Sequence, residues 1–320
     1  MYSRSRPLSS ATALFLAPAV LCGAASVGAQ DAPVYRSPDP ALVQVVDADP
    51  TPSVSLSPDE TLLLLIRYPG YPAIANFARR ELKLAGLRLD PTSDGRSRTT
   101  GATDLGLVQV ADGAVREVAG LPAGPQVENI VWSPDGKHVS FTHDTGSGLE
   151  LWVMDVEQAS ARRLTDRRLS LTAGNAPVWL DASTLVAAFV PTGRGPEPVE
   201  PAVPVGPVIE ESSGRESPAR TYQDLLEDPY DEALFEHYLT VQLGRVDLRG
   251  TVTEITTAGI ASDFSPSPDG RYLLVEWVHR PYSYRVPVSR FRRRVEILDR
   301  DGSLVHRIAD LPRQEEIPIA

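Results

Sequence analysis

Cysteine and lysine are almost absent from this sequence. The only cysteine among the 320 residues is Cys22, in an apolar run near the amino terminus, and the only lysines are Lys83 and Lys137. A chain with one cysteine cannot build a disulfide framework or a multi-cysteine metal site. Without the amino-terminal run it would also have no thiol nucleophile. Positive charge is therefore carried almost entirely by arginine, whose planar guanidinium pairs well with carboxylates.

Positive charge is also in deficit. The chain has 31 basic and 42 acidic residues, which gives a net charge of -11 and an isoelectric point near 5.0. This balance disfavours binding to nucleic acid or to an anionic membrane. The hydrophobic share of 42% is typical of a globular protein, and the 29 prolines argue against an all-helical fold.

Motifs for catalysis and for metal binding are missing as well. The sequence has no G-x-S-x-G nucleophile elbow, no H-E-x-x-H motif, no cysteine pair and no Walker-type loop. His138 and His143 are five residues apart, which puts them on opposite faces of an extended strand. Asp299–Ser303 is similar to the start of a calcium loop but lacks the remaining ligands, so we interpret it as a hairpin turn. We predict no catalytic residue, no metal and no cofactor in this chain.

The amino terminus has the three parts of a secretory signal peptide. Arg4 and Arg6 precede an apolar run over residues 11–21, and small residues end at Ala29. The run is too short for a membrane span and contains Pro18, and Leu21 is too large for the position before a lipidated cysteine. We predict cleavage after Ala29 and a secreted or periplasmic protein, with residues 30–52 as an amino-terminal extension.

An internal repeat predicts the architecture. Ser-Pro-Asp stands between two apolar runs at residues 57–59, 133–135 and 267–269, and a degenerate copy surrounds Asp181. Proline and aspartate favour a tight turn, so each copy predicts a β-hairpin. A second, more polar hairpin follows each copy, at residues 107–118, 151–164, 243–255 and 295–308.

Two hairpins per repeat make a four-stranded antiparallel blade of a β-propeller. We predict an all-β fold, a partial β-propeller of about four blades over 53–121, 129–166, 176–256 and 263–311. A β-sandwich is the alternative, but it does not explain why the same turn recurs in the same place. Insertions at 67–104 and 191–240 interrupt the first and third blades. Residues 77–86 suggest a short helix or strand, and residues 222–239 a pair of short amphipathic helices broken at Pro229.

One basic cluster stands out. Arg290, Arg292, Arg293 and Arg294 follow Arg280, Tyr282, Tyr284 and Arg285. Such a cluster could hold a carboxylate through charge-assisted hydrogen bonds, and a solvated strand edge is the alternative explanation.

Several segments resemble the amino-terminal half of the prolyl oligopeptidase family of serine peptidases, in its glutamyl endopeptidase branch. The resemblance runs from about Ala41 to Ala320 and includes the insertions. The segments that carry it are Leu82–Pro91, Arg220–Leu226, Tyr230–Glu232, His279–Tyr284 and Glu316–Ala320.

The resemblance implies a propeller, seven-bladed in most branches, stacked on a carboxyl-terminal α/β-hydrolase domain that holds a Ser, an Asp and a His. It also implies that the propeller restricts entry to peptides and that cleavage follows glutamate. This sequence stops at Ala320, four blades in, without the hydrolase domain, so we expect it to be inactive alone. The expected partners are peptide substrates and that domain, with Arg280, Tyr282 and Arg290 as candidate substrate-binding residues. A non-catalytic, extracytoplasmic binding propeller is the competing interpretation.

Overall fold

The computed structural model describes residues 38–202 and 222–315. The predicted signal peptide, residues 30–37 of the predicted extension, Arg220 and Thr221 of one segment quoted above, and the whole of another, Glu316–Ala320, lie outside these ranges. A helix, α1 (Pro40–Val46), belongs to a separate unit that ends at Val46. The unit from Asp47 onward contains the sheets described below.

The second unit consists mainly of short strands. In chain order they are β1 (Ser53–Leu56), β2 (Leu62–Arg67), β3 (Leu82–Leu84), β4 (Leu87–Asp90), β5 (Gly95–Arg96), β6 (Asp104–Gln109), β7 (Val115–Glu117), β8 (Val127–Trp132), β9 (His138–Asp144), β10 (Leu149–Asp155), β11 (Ser160–Arg163), β12 (Val178–Asp181), β13 (Thr184–Phe189), β14 (Gln242–Asp247), β15 (Val252–Glu254), β16 (Ile260–Pro266), β17 (Tyr272–Val278), β18 (Arg293–Asp299) and β19 (Leu304–Leu311). Two helices, α2 (Ile74–Ala78) and α3 (Pro229–Leu239), and a 3-10 turn at Val288–Arg290 lie between strands.

The strands form four antiparallel sheets of four strands each. The sheet orders are β1-β2-β6-β7, β8-β9-β10-β11, β12-β13-β14-β15 and β16-β17-β18-β19, and β3-β4-β5 form a small fifth sheet. The prediction of an all-β partial propeller with about four four-stranded blades is confirmed. The division of the chain into domains stays a prediction.

The repeated Ser-Pro-Asp segment has the same turn geometry each time it occurs. The Ser133 hydroxyl donates to the Asp135 carboxylate at 2.7 Å and accepts from the His138 amide at 3.0 Å, and Ser57 and Ser267 do the same in their own hairpins. The residue after the aspartate has a positive φ, which glycine supplies in two of the three copies. Because the turn satisfies its own polar groups, a short sequence is enough to fix the hairpin.

Neighbouring sheets pack face to face through apolar residues. In β13, Leu185 and Ala187 contact the second sheet, whereas Val186 and Ala188 contact the fourth. This alternation follows from the two-residue period of a strand buried on both faces. The first strands also meet, since the indole of Trp179 in β12 donates to the carbonyl oxygen of Val131 in β8 at 3.1 Å. The sheets therefore converge on their first strands, as propeller blades do.

Glycines in the turns between third and fourth strands allow adjacent sheets to approach closely. A Cβ atom on Gly250 would overlap the carbonyl oxygen of Leu164 in the second sheet, and one on Gly302 would overlap that of Ile255 in the third. Gly113, in the same turn of the first sheet, has no atom within 4 Å of such a Cβ. The first sheet thus has a glycine in the same turn, but no adjacent sheet packs against that turn among the described residues.

Arginines link neighbouring sheets near these turns. Arg116 donates to the carbonyl oxygens of Val156 and Glu157 in the second sheet at 3.2 and 3.0 Å. Arg162 donates to the Leu248 carbonyl of the third sheet, and Arg245 pairs with Asp301 of the fourth at 3.0 Å. Each of the three interfaces between sheets therefore has an arginine that reaches the next turn.

One face of the first sheet remains uncovered by described residues. Val54, Leu56 and Val115 are about half exposed and lie in register with Leu63 and Leu65. The corresponding positions on the covered face of the same strands are fully buried, as at Leu64 and Leu107. The open face thus has the apolar composition of an interface between sheets.

The predicted helix pair over residues 222–239 is wrong in its first half. Residues 222–228 are irregular, and one helix, α3, begins at Pro229 itself. Asp228 caps it by accepting hydrogen bonds from the amides of Tyr230 and Asp231. Proline suits the first turn of a helix because its missing amide hydrogen is not needed there. No helix among the described residues is long and apolar enough to cross a membrane.

Candidate functional site

Three long connections leave the sheets at the same end. They are residues 68–103 between β2 and β6, 190–241 between β13 and β14, and 279–292 between β17 and β18. Each joins the second strand of its sheet to the third, so all three emerge on one face of the propeller. We call the described parts of these connections the insertion layer.

The insertion layer has its own apolar core, separate from the interfaces between sheets. Phe235 of α3 contacts the rings of Tyr282 and Phe291 at centroid distances of 5.0 and 5.6 Å. Leu84 and Leu89 from the first connection are buried in the same cluster. Segments about 150 to 200 residues apart in the sequence therefore share one core, which fixes the three connections relative to one another.

A buried carboxylate joins two of these connections to the chain between the second and third sheets. Asp94 is fully buried and accepts hydrogen bonds from Arg194 at 2.5 and 3.0 Å and from Arg168 at 3.0 Å. Nearby, the Arg80 guanidinium and the Tyr238 hydroxyl lower the pKa of Glu197 to about 2. A buried charge of this kind is tolerated only when it is paired and hydrogen-bonded, as Asp94 is.

Arg280 is held by two carboxylates of α3. Its guanidinium contacts Glu232 and Glu236 at 2.5 and 2.7 Å. Tyr282 donates to Glu236 at 2.8 Å, and burial together with this acceptor raises the tyrosine pKa. The guanidinium of Arg280 and the hydroxyl of Tyr282 in turn hold the pKa of Glu236 below its ordinary value. Arg280 and Tyr282 are thus both already paired with carboxylates of α3.

The three predicted substrate-binding residues occupy different environments. Arg280 and Tyr282 belong to the network just described, whereas Arg290 lies in the 3-10 turn with no ion pair to any residue of the described ranges. The basic cluster is also divided, because Arg292 pairs with Asp310 and Arg293 with Glu276. Alternation along β18 separates side chains that are adjacent in the sequence. Substrate binding by Arg280, Tyr282 and Arg290 stays a prediction.

A cavity of about 450 Å³ lies between the insertion layer and the fourth sheet. Its apolar wall is formed by Leu87, Leu239, Ile260 and Val288, with Ala173 beside them. Its polar groups are Ser262, Asp263, Glu276, Ser289 and Arg293. A volume of this size falls within the range of about 300 to 1,000 Å³ that is usual for ligand pockets.

Two polar groups of this cavity have unused hydrogen-bonding capacity. Arg293 donates to Glu276 at 3.1 Å, but its Nε atom is buried without a partner among the described residues. Asp263 is exposed and forms no ion pair within the same residues. Sequence reasoning missed Asp263 and Glu276, since isolated acids on strands carry no motif. They line one cavity only because the insertion layer covers β16 and β17.

A second, much smaller cavity of about 70 Å³ lies beside the first connection. Glu128 and Asp144 line it together with Thr99 and Asn129. Burial raises the pKa of Glu128. A cavity of this volume can hold water molecules.

Over 38–202 and 222–315, no group of three or more His, Cys, Asp or Glu side chains is arranged to hold a metal ion. The described site therefore offers binding groups: an apolar wall, a free carboxylate, and a guanidinium with one free donor.

Comparison with known sequences identifies relatives. No protein-family model matches the chain. It is 40% identical over 298 residues to a protein named probable glutamyl endopeptidase, chloroplastic, from Arabidopsis thaliana. The alignment covers 89% of this chain and 31% of the relative. This chain is similar in sequence to probable glutamyl endopeptidases. The rice relative of the same name, from Oryza sativa subsp. japonica, is 39% identical over 299 residues and is covered over 32% of its length.

The chain spans about a third of the length of these glutamyl endopeptidases. The resemblance expected from the sequence is confirmed. Among solved structures, a prolyl endopeptidase matches 84% of this chain with 15% identity and a TM-score of 0.45, over 30% of its own length. The acylaminoacyl peptidase of Pyrococcus horikoshii matches 83% of this chain with 12% identity and a TM-score of 0.44, over 33% of its own length.

Proposed function

We propose that this chain is the amino-terminal propeller portion of a serine peptidase that cleaves peptides after glutamate. The observation that carries the proposal is the 40% identity to a protein named probable glutamyl endopeptidase across 89% of the chain. The Ser, Asp and His of the reaction would lie in a hydrolase domain within the two thirds of the relatives that this chain does not match. The role of the residues described here is then to bind and admit peptides, not to cleave them.

The test is a cleavage assay on the full-length protein, with a peptide that contains one glutamate and a matched peptide that contains glutamine instead. We expect cleavage after glutamate only, and inactivation by a serine-reactive fluorophosphonate. Mass spectrometry should place the labelled serine outside the sequence printed here. A labelled serine within residues 1–320, or the absence of cleavage, would contradict the proposal.

Gating by the propeller has a separate readout. The propeller is proposed to exclude folded proteins, so a glutamyl peptide should be cleaved as a short peptide but not within a stable folded host protein. A mutation that unfolds the host protein should allow cleavage of the same glutamyl peptide within it. Equal cleavage rates for the peptide and the folded host would rule out gating.

Within this proposal, Arg290 is the predicted residue whose guanidinium has no ion pair among the described residues. We expect Arg290→Ala to raise KM for glutamyl peptides by about tenfold, the loss of one charge-assisted hydrogen bond. Arg271→Ala is the matched control, because that arginine is exposed in a turn at the opposite end of the fourth sheet. The same KM in both variants would remove Arg290 from the substrate-binding residues.

Export is also part of the proposal. The amino-terminal sequence predicts a signal peptide that is cleaved after Ala29, so the mature protein would begin at Gln30 and would be secreted or periplasmic. Amino-terminal sequencing of the protein from its native host tests this. A mature chain that keeps residues 1–29 would contradict it.

A further inference from the structure

We propose that the 450 Å³ cavity between the insertion layer and the fourth sheet binds a peptide segment in which an apolar side chain stands next to a cationic group. The inference extends the proposed function, because it names a peptide-binding site on the propeller itself. It concerns residues that no motif marks and that lie apart from any cleavage chemistry.

The apolar part of the ligand is indicated by the wall of the cavity. Leu239 and Ile260 are almost fully buried, and Leu87 and Val288 are partly buried beside them. These four side chains come from the three connections and from β16, so the wall exists only where the insertion layer meets the sheet. An aliphatic side chain placed against it would leave water on entering the cavity, which is favourable in proportion to the apolar area buried.

The cationic part of the ligand is indicated by charge. Glu276 and Arg293 neutralise each other at 3.1 Å, whereas Asp263 has no ion pair within the described ranges. The cavity therefore has one uncompensated negative charge. A lysine or arginine side chain, or a free amino terminus, would compensate it through a charge-assisted hydrogen bond.

Calorimetric titration of the full-length protein tests this directly, with peptides that contain no glutamate. The probe is acetyl-Ala-Leu-Lys-Ala-amide, and its neutral control has glutamine in place of lysine. We expect the lysine peptide to bind about tenfold more tightly than the glutamine peptide. A free Leu-Ala-Ala-amide distinguishes an amino terminus from a lysine side chain as the preferred cationic group.

Two variants locate the binding site. Asp263→Asn keeps the shape of the side chain and should abolish the preference for lysine over glutamine, whereas Asp166→Asn, at a fully exposed carboxylate, should preserve it. Ser289→Trp should fill the cavity and weaken binding at least tenfold. The control for it is Ser303→Trp, in an exposed turn at the other end of the sheet.

The outcomes separate this inference from the proposed function. Equal binding of the lysine and glutamine peptides, or unchanged binding in Ser289→Trp, would overturn the inference. Neither result would bear on cleavage after glutamate, because binding is measured without turnover. Conversely, a protein that binds the lysine peptide at this cavity but cleaves nothing would keep the inference and reject the peptidase activity.

Discussion

Replacing Gly302 by alanine should destabilise the contact between the third and fourth sheets. Gly302 has a φ of 85°, in the left-handed region, where an alanine costs about 1 to 2 kcal/mol. The added Cβ would also overlap the carbonyl oxygen of Ile255, and relieving that overlap requires a backbone shift that costs about 1 to 3 kcal/mol. The expected total is about 2 to 5 kcal/mol.

Gly146→Ala is the control that isolates the overlap. Gly146 has a similar φ of 81°, but no atom lies within 4 Å of an added Cβ. This variant should therefore lose only the conformational part, about 1 to 2 kcal/mol.

Hydrogen exchange measured by mass spectrometry suits this comparison, because it reports local opening free energies within a larger protein. Gly302→Ala should lower protection in β15 and β19, on both sides of the contact. Gly146→Ala should leave both strands protected as in the parent protein. If the two variants lose protection equally in these strands, the close packing of the sheets at Gly302 does not stabilise the interface as argued here.

The other predictions concern the open face, one turn and acid stability. Under the proposed function a further blade covers the first sheet, so Gly113→Ala in the full-length protein should lower stability as much as Gly302→Ala does. A loss as small as that of Gly146→Ala would contradict this. Ser133→Ala should lower the free energy of unfolding by about 1 to 3 kcal/mol in urea titrations, because the buried hydroxyl satisfies two polar groups; an unchanged midpoint would refute that. Burial opposes ionisation of Asp181, but hydrogen bonds from Arg300, Ser183 and Thr184 together outweigh it and lower the pKa of this carboxyl to about 2. Stability from these hydrogen bonds is present above about pH 4 and is lost as the pH falls towards 2. Asp181→Asn should therefore weaken the dependence of the melting temperature on pH between about pH 4 and pH 2. A dependence equal to that of the parent protein would exclude Asp181 as a contributor.

The four sheets could be predicted from the sequence because their signals are local. Each Ser-Pro-Asp turn closes its hydrogen bonds within about six residues, so the hairpin is encoded where it forms. The apolar runs on either side have the length and composition of strands buried on both faces. At these positions the local sequence preference agrees with the overall fold, so the fold can be predicted from the sequence.

The insertion layer could not be predicted in the same way, because long-range contacts hold it. Asp94 pairs with Arg194, one hundred residues later, and neither residue lies in a recognisable motif. Residues 77–86 predict a short helix or strand, and the structure has both: α2 ends at Ala78, and β3 begins at Leu82 and pairs with β4. Pro229 was interpreted as a helix breaker, whereas it starts α3 behind the cap from Asp228. The local structure at these positions is set by contacts with residues distant in the sequence or, for α3, by the Asp228 cap.

The insertion layer also has a mechanical consequence for the sheets below it. The amide of Val288, from the fourth sheet's connection, donates to the carbonyl oxygen of Ala85, from the first sheet's connection, at 2.8 Å. This hydrogen bond links the connections of the first and fourth sheets directly and does not involve the second or third sheet. Moving the first and fourth sheets apart would break this hydrogen bond and the packing around Phe235. The first and fourth sheets are therefore held together directly, and under the proposed function we expect a peptide to enter by a route that does not require the four sheets to separate.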